Sequence, residues 1–348
     1  MDFRSDNVAG AAPEILAALE AANAGTDTSY GEDAVTARLT RRLAEIFEHE
    51  VAVFPVATGT AANALALSAL TPPWGIVFCH EEAHVAIDEC GAPEFFSGGA
   101  KLVPVPGSDA KIAPAAIAER FTERGFVHHA QPAAISISQS TEAGAVYRPD
   151  EVAALGAFAA AEGLGLHMDG ARFANAVAAL DVAPKEISWR AGVHALSFGA
   201  TKNGALAAEA VIFFDPAKAR DMGYRRKRGG HLVSKMRFFS AQLDAYLADD
   251  LWLRNARHAN AMAARLGAGL ARIPGARLRH PVEANEVFVE LPEPVIRALG
   301  EEGYKFYRWG GAQSTCLRLV TSFATRPQSV ETLIAATVKH CARANAAD

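Results

Sequence analysis

Short apolar runs and helix-length stretches alternate through the first two thirds of this 348-residue chain. That rhythm restricts the fold more than any other feature. Strand, helix and strand in succession build a parallel sheet through crossover connections. The spacing predicts helices over Pro13–Ala24, Val35–Glu48, Thr60–Leu70 and Pro149–Glu162. Pro13 suits the start of the first, where its missing N–H does no harm. In the second, Val35, Leu39, Leu43, Ile46 and Phe47 share one face. Strands are expected at Val51–Phe54, Ile76–Cys79, Lys101–Val105, Ala133–Ser138, Leu164–Met168, His194–Phe198 and Ala210–Phe214. Six or seven such strands imply an α/β fold with a mostly parallel, doubly wound sheet.

After Asp215 the character changes. A dense basic run lies within residues 220–237, and one long helix, roughly Val233–Leu266, is expected to bridge to a smaller α+β unit. That unit is read as strands at Ala276–Arg279, Glu286–Leu291, Tyr304–Tyr307 and Cys316–Val320, with helices at Pro294–Glu301 and Val330–Ala344. The length exceeds one ordinary core, so two domains are expected: residues 1–245, including an N-terminal arm 1–24, and residues 246–348. Charge is mixed, with a formal net of −5, which gives no basic footprint for nucleic acid. No apolar stretch approaches the ~18–20 uncharged residues of a membrane span. The polar N-terminus lacks the apolar core of a signal peptide. The four cysteines, Cys79, Cys90, Cys316 and Cys341, are dispersed and read as buried free thiols in a reducing compartment. A cytoplasmic protein without membrane or nucleic-acid partners is the expectation.

Two stretches carry chemistry. His-Met-Asp-Gly-Ala-Arg at 167–172 ends an apolar run with the carboxylate of Asp169, followed by Arg172. Phe-Gly-Ala-Thr-Lys-Asn-Gly at 198–204 places the amine of Lys202 in a small-residue loop after another apolar run. Pyridoxal 5′-phosphate (PLP) needs a lysine for its aldehyde and an acid beside its ring nitrogen, so that the ring accepts electrons. Lys202 taken alone reads as a solvated loop lysine; only the order and spacing of the other pieces set it apart. The segment 54–63 runs strand, glycine turn, helix start, and its N–H groups with the Thr58 and Thr60 hydroxyls suit a single phosphate. An ordinary N-cap is the alternative. The segment lacks both the P-loop and the dinucleotide fingerprint.

His80, Glu81 and His84 spell the letters of a zinc-protease motif, H-E-x-x-H. That chemistry needs one amphipathic helix, whereas these residues directly follow an apolar strand. A zinc hydrolase is therefore a distant alternative, and no metal is expected. His84 suits an imidazole stacked on a pyridine ring, or a loop histidine facing water. Arg172 could bind a cofactor oxygen or a substrate carboxylate, or form a surface ion pair. In Cys-Leu-Arg-Leu-Val an alternating strand puts Leu317 and Leu319 on one face and Arg318 on the other. Arg318 suits a bidentate grip on a carboxylate, or a solvated outer face.

The order of short motifs is more specific. Arg-Ser-Asp at 4–6, Tyr-Gly-Glu-Asp at 30–33, Thr-Gly-Thr-Ala-Ala-Asn at 58–63, Ala-His at 83–84, Asp-Gly-Ala-Arg at 169–172, Thr-Lys-Asn-Gly at 201–204 and Leu-Arg-Leu-Val at 317–320 together resemble the low-specificity L-threonine aldolases. These are fold type I PLP-dependent enzymes of the β-eliminating lyase group. The resemblance implies a seven-stranded, mostly parallel sheet with helices on both faces and a smaller C-terminal α+β domain. It implies retro-aldol cleavage of a β-hydroxy-α-amino acid, such as L-threonine, L-allo-threonine or an aryl analogue, to glycine and an aldehyde. Another PLP-dependent lyase chemistry on the same fold is the nearer alternative.

Residue by residue, the resemblance implies Lys202 as the Schiff-base lysine, Asp169 as the ring-nitrogen partner and His84 as the stacking histidine. Gly59 and Thr60 match the phosphate turn. Ser5, Arg172 and Arg318 match the groups around the substrate carboxylate, Arg172 also touching the cofactor. Tyr30 matches a loop residue near the site, and Glu89 an acidic position beyond His84. A homo-oligomer, dimer or tetramer, is implied because family sites are shared between subunits. Two departures stand out. Ser-Thr-Glu-Ala-Gly at 140–144 puts Glu142 where the family has a histidine associated with the β-hydroxyl. His84 is then the leading base and Glu142 the second. In Gly-Gly-His-Leu-Val-Ser-Lys at 229–235 the family arginine aligns with Val233, leaving the phosphate's basic partner unassigned between Arg228, Lys235 and other basic residues.

Overall fold

The computed structural model describes residues 1–345. Its larger sheet contains β1 (Ala52–Val56), β2 (Gly75–His80), β3 (Lys101–Val105), β4 (Gln131–Ser138), β5 (Gly165–Gly170), β6 (Ala195–Gly199) and β7 (Glu209–Phe213). They lie in the order β1-β7-β6-β5-β4-β2-β3. Strands β3, β2, β4, β5 and β6 are parallel, and β7 alone runs against its neighbours β6 and β1. The sheet is covered on both faces, as alternation along β7 shows. Val211 and Phe213 enter one apolar cluster with Ala61 and Leu65, while Ala210 and Ile212 enter the main cluster with Phe198 and Trp252. Strands buried on both sides read as continuous apolar runs, which is why they are visible in the sequence.

A smaller antiparallel sheet combines β8 (Arg277–Leu278), β9 (Glu286–Glu290), β10 (Tyr307–Arg308) and β11 (Cys316–Val320) in the order β10-β11-β9-β8. It has its own apolar cluster, including Leu266, Val287, Val289, Leu317, Leu319 and Leu333. The long helix expected over Val233–Leu266 is instead two, Arg237–Leu247 and Leu251–Leu270. Asp249 and Asp250 break it with φ of 49° and 55°, a left-handed conformation that aspartate tolerates better than most residues. The second helix serves both cores: Leu251, Trp252 and Ala256 join the large cluster, Met262, Leu266 and Leu270 the small one. Only Tyr307 of the expected strand Tyr304–Tyr307 enters the sheet. Lys305 turns to the N-terminal segment, accepting from the Phe3 N–H at 2.8 Å and donating to the Met1 carbonyl at 2.9 Å. Three of the four cysteines are buried as expected, but Cys90 is exposed. The basic run folds in part as a helix, Met222–Arg228.

A polar stripe crosses the middle of the large sheet. Two-residue periodicity places His167 and Asp169 on the same face of β5. His167 is held between Ser136 Oγ of β4 at 2.9 Å and Ser197 Oγ of β6 at 3.0 Å, and burial pulls its pKa down to about 4. It is therefore a neutral crosslink. One step on, the ends of β5 and the β6 loop meet so closely that a Cβ at Gly199 would stand 2.5 Å from the Ala171 carbonyl oxygen and 2.6 Å from its Cα. Gly199→Ala should therefore lower unfolding free energy by about 3 kcal/mol, the upper range for overpacking against backbone. Denaturant unfolding measures this; wild-type stability in the variant would show that the two strand ends can part freely.

Candidate active site

In open α/β sheets ligands bind outside the carboxyl ends of the strands. Here β2, β4, β5 and β6 deliver His84, Ser138, Asp169 and Lys202 to that edge, and all four line one pocket. Glu142, Arg172, Ser5 and Arg318 line it too, with Asn7, Asp88, Ser140, Ala171 and Trp309. Lys202 sits on a short turn, Thr201–Asn203, between β6 and β7. The turn is pinned from both sides. Asn203 Nδ2 donates to Tyr246 Oη at 2.6 Å and the Trp252 carbonyl at 2.8 Å, and Asn255 Nδ2 donates to the Asn203 carbonyl at 2.8 Å. Glu209 Oε2 accepts the Ala200 N–H at 2.9 Å; burial raises that carboxyl to about 7. Gly204 closes the turn at φ 120°, which side-chain-bearing residues rarely adopt.

Asp169 is buried, yet remains a carboxylate. Its Oδ1 accepts the Ala171 N–H at 2.9 Å and its Oδ2 accepts Asn63 Nδ2 at 2.8 Å. Burial works to raise its pKa, but the charges of His84 and Lys202 together with those donors hold it below the usual value. Asn63 also donates to Glu89 Oε1 at 2.7 Å, and that oxygen meets His84 Nδ1 at 2.9 Å. The bond to Glu89 raises the imidazole's pKa, while burial raises that of Glu89 itself, so the two hold a proton between them. Glu142 Oε1 accepts Ser138 Oγ at 2.6 Å and the His84 N–H at 2.9 Å, and burial pushes the carboxyl up to about 7. Its Oε2 is buried without a partner, as are Glu89 Oε2, Asn63 Oδ1 and Ser140 Oγ. Unmet buried polar atoms are rare in a finished protein. Those of Glu142 and Ser140 belong to pocket-lining residues, and those of Glu89 and Asn63 to the hydrogen-bond chain joining His84 to Asp169.

Both arginines are anchored rather than solvated. Arg172 is buried, with Nε 2.8 Å from Asp6 Oδ2 and Nη2 3.1 Å from Asp6 Oδ1. The surface ion pair entertained for it is thus a buried one. Arg318 lies 2.9 Å through Nε and 2.8 Å through Nη2 from Glu286 Oε1, over the Trp309 ring at 5.2 Å. Its solvated alternative also fails, while Leu317 and Leu319 turn into the small core as alternation predicted. Ser5 caps the first short turn, its Oγ accepting the Asn7 N–H at 3.1 Å.

The remaining expected residues stand apart from the pocket wall. Thr58, not Thr60, is the N-cap of helix Gly59–Leu70, its Oγ1 accepting the Ala61 N–H at 3.1 Å. The first-turn N–H groups of Gly59 and Thr60 have no acceptor within the helix. One turn on, Asn63 of the same helix reaches Asp169, so this positive helix end approaches the site. Tyr30 is exposed, at φ 61°, with Lys227 Nζ 4.8 Å over its ring. His80 ends β2 with Nε2 on the Gly107 carbonyl at 3.0 Å and Nδ1 accepting the Glu82 N–H at 3.0 Å, so H-E-x-x-H is not helical. Among the described residues, the group close enough to share an ion is His84, Glu89 and Asp169, which leaves His80 and Glu81 outside. The sequence reading missed Asp6, Asn63 and Glu286. The first two lie inside quoted motifs; Glu286 begins a predicted strand with a charge that only a distant partner explains.

Lys202 and Asp169 at one pocket, an unpaired helix end nearby and unmet polar atoms in and beside the wall are what PLP requires of a protein. The family profile described as beta-eliminating lyase matches residues 2–293. Low specificity L-threonine aldolases from Pseudomonas sp. (strain NCIMB 10558) and Pseudomonas aeruginosa are each 48% identical over 317 residues, covering 90% of this chain and 92% of theirs. A solved threonine aldolase from Leishmania major superimposes with a TM-score of 0.91 at 28% identity, covering 98% of this chain and 99% of that one. The chain therefore belongs to the β-eliminating lyase family, among the low-specificity L-threonine aldolases.

Proposed function

We propose that this enzyme is a PLP-dependent aldolase that cleaves a β-hydroxy-α-amino acid, with L-threonine, L-allo-threonine or an aryl analogue as substrate, to glycine and an aldehyde. The observation that carries the reading is the convergence of Lys202, Asp169, His84, Glu142, Arg172 and Arg318 on one pocket. Lys202 would hold the cofactor through its amine, Asp169 its ring nitrogen, His84 its ring face, and Gly59 with Thr60 its phosphate. When bound, PLP supplies an electron-accepting ring. The chain's residues do the rest. Arg318, with Ser5 and Arg172, would fix the substrate carboxylate and so orient the Cα–Cβ bond for C–C cleavage. Asp169, kept ionised, stabilises positive charge opposite it.

A base must take the β-hydroxyl proton. His84 Nδ1 is committed to Glu89, leaving Nε2 for this work. Glu142 is the second candidate, with a free oxygen and a pKa of about 7, near the value at which an acceptor and donor of protons is most effective. The enzyme is taken to work in the cytoplasm as a homo-oligomer, dimer or tetramer. Exposed Tyr30 beside Lys227 supports a contribution to a neighbouring subunit's site. No helix of the described residues is long and apolar enough to cross a membrane.

Three measurements test this. Incubation with L-threonine, L-allo-threonine and phenylserine should release glycine and the matching aldehyde; no glycine from any of them overturns the aldolase reading. Borohydride reduction should fix the cofactor's mass on the peptide containing Lys202, and Lys202→Ala should abolish both that mass and turnover. Glu142→Gln should lower kcat/KM by about 10²–10⁴-fold if the group moves the proton; a loss under about twofold assigns the proton to His84.

Glu142 also predicts a stability profile. Its folded pKa of about 7 lies above the ordinary 4.5, so the folded protein keeps a proton that the unfolded chain releases. The stability tied to that proton is complete below about 4.5 and is lost as pH rises through 7. Glu142→Gln should flatten that part of the decline in denaturant unfolding between those limits. An unchanged slope would mean that the carboxyl titrates normally.

A further inference from the structure

The two arginines that line the pocket each carry a buried counter-ion that the reaction does not use. Asp6 and Glu286 are each 1% exposed. Asp6 holds Arg172 by two bonds; Glu286 Oε1 receives Nε and Nη2 of Arg318 and stands 3.6 Å from Arg172 Nη2. The two carboxylates are tied together through their neighbour, since Asn285 Nδ2 donates to Asp6 Oδ2 at 3.0 Å and to the Thr321 carbonyl at 2.8 Å. Register explains the contact: Arg318 of β11 pairs with Phe288 of β9, two residues from Glu286 and on the same face. Two cations and two anions thus cancel.

A buried ion pair is weak evidence for stability, because an apolar pair of similar volume often serves as well. Geometry gives this one another use. The Arg318 Cζ stands 5.2 Å from the Trp309 ring centroid and Glu286 takes the Nε and Nη2 edge, so the guanidinium is held by two neighbours at once. Nη1 takes no part in the contact with Glu286. A guanidinium left free on its long stem loses rotamer freedom when it grips a ligand; one held in advance does not.

We propose that Glu286 is a positioning residue for the amino-acid carboxylate: it fixes Arg318 so that its unused end meets that group. The proposal rests on the aldolase reading given above. It distinguishes Glu286 from a competitor, which would vacate Arg318 when substrate arrives. A positioning role makes loss of Glu286 weaken carboxylate binding, whereas a competitor's loss strengthens it.

The experiment uses the holoenzyme and four forms: wild type, Glu286→Gln, Arg318→Ala and the double variant. Glycine affinity is read by calorimetry, L-threonine turnover by steady-state kinetics, and cofactor affinity by equilibrium dialysis. Glu286→Gln should raise the glycine Kd and the L-threonine KM about tenfold, the scale of one charge-assisted contact. Cofactor affinity should stay within about twofold, since Glu286 does not line the pocket. In the Arg318→Ala background the same change should add less than about twofold, because its effect passes through Arg318. Arg318→Lys, which keeps charge but loses the fork, should match Glu286→Gln, and serves if the latter folds poorly. A lower glycine Kd, an unchanged one, or additive losses in the double variant would overturn the proposal. Wild-type enzyme that neither binds glycine nor releases it would overturn the aldolase reading instead, and the proposal with it.

Discussion

Charge removed from water must be matched by charge, and that constraint organises this protein around its pocket. Asp6 and Arg172 are 166 residues apart in the chain, yet neither could be buried alone. Breaking such a pair strands an uncompensated ion, at a cost of about 3–5 kcal/mol. Their union fastens the N-terminal segment to the end of β5. Through Glu286 and Asn285 it extends to β9 and β11, so the large and small sheets meet in electrostatics as well as in apolar packing. The short parallel bridge between Asp2 and Lys305 secures the same segment from its other side.

Within the pocket, environment separates carboxylates of like chemistry. Asp169 has two N–H donors and two nearby cations, so it stays ionised despite burial. Glu142 has a hydroxyl and one N–H donor on a single oxygen, too little to offset desolvation, and rises to about 7. Glu89 is also raised but shares its proton with His84. One group is thereby suited to hold charge and another to exchange a proton, a division set by neighbours rather than by residue type.

Much of this was legible in the sequence, and for identifiable reasons. Apolar runs announce strands by composition, and both the edge strand Lys101–Val105 and the buried Cys316–Val320 have the bounds that those runs suggest. Lys202, Asp169, His84, Glu142 and Arg172 fall together because strand ends of the large sheet deliver them to one edge, a topological result of alternation, and the N-terminal segment and β11 bring Ser5 and Arg318 to meet them. Local pattern could not show which carboxylates would neutralise the arginines, since a pairing across the fold leaves no periodic trace. Nor could it show the break at Asp249–Asp250, where two adjacent left-handed residues override a helical rhythm that continues on both sides. The segment 304–307 misled for a related reason: Lys305 bonds to the N-terminal segment, and only Tyr307 joins the sheet.

The reversed direction of β7 has a consequence for assembly. Because β6 and β7 pair antiparallel, Ala195 opposite Phe213 and Gly199 opposite Glu209, the connection bearing Lys202 is the tip of a hairpin. Asp169 and His84 reach the same spot only after long crossovers. Closing a short loop forfeits less chain entropy than closing a long one, and local pairings form ahead of distant ones. The Lys202 turn is thus the part of the pocket that costs least chain entropy to organise. The counter-ion frame, which joins Asp6, Arg172, Glu286 and Arg318, costs the most.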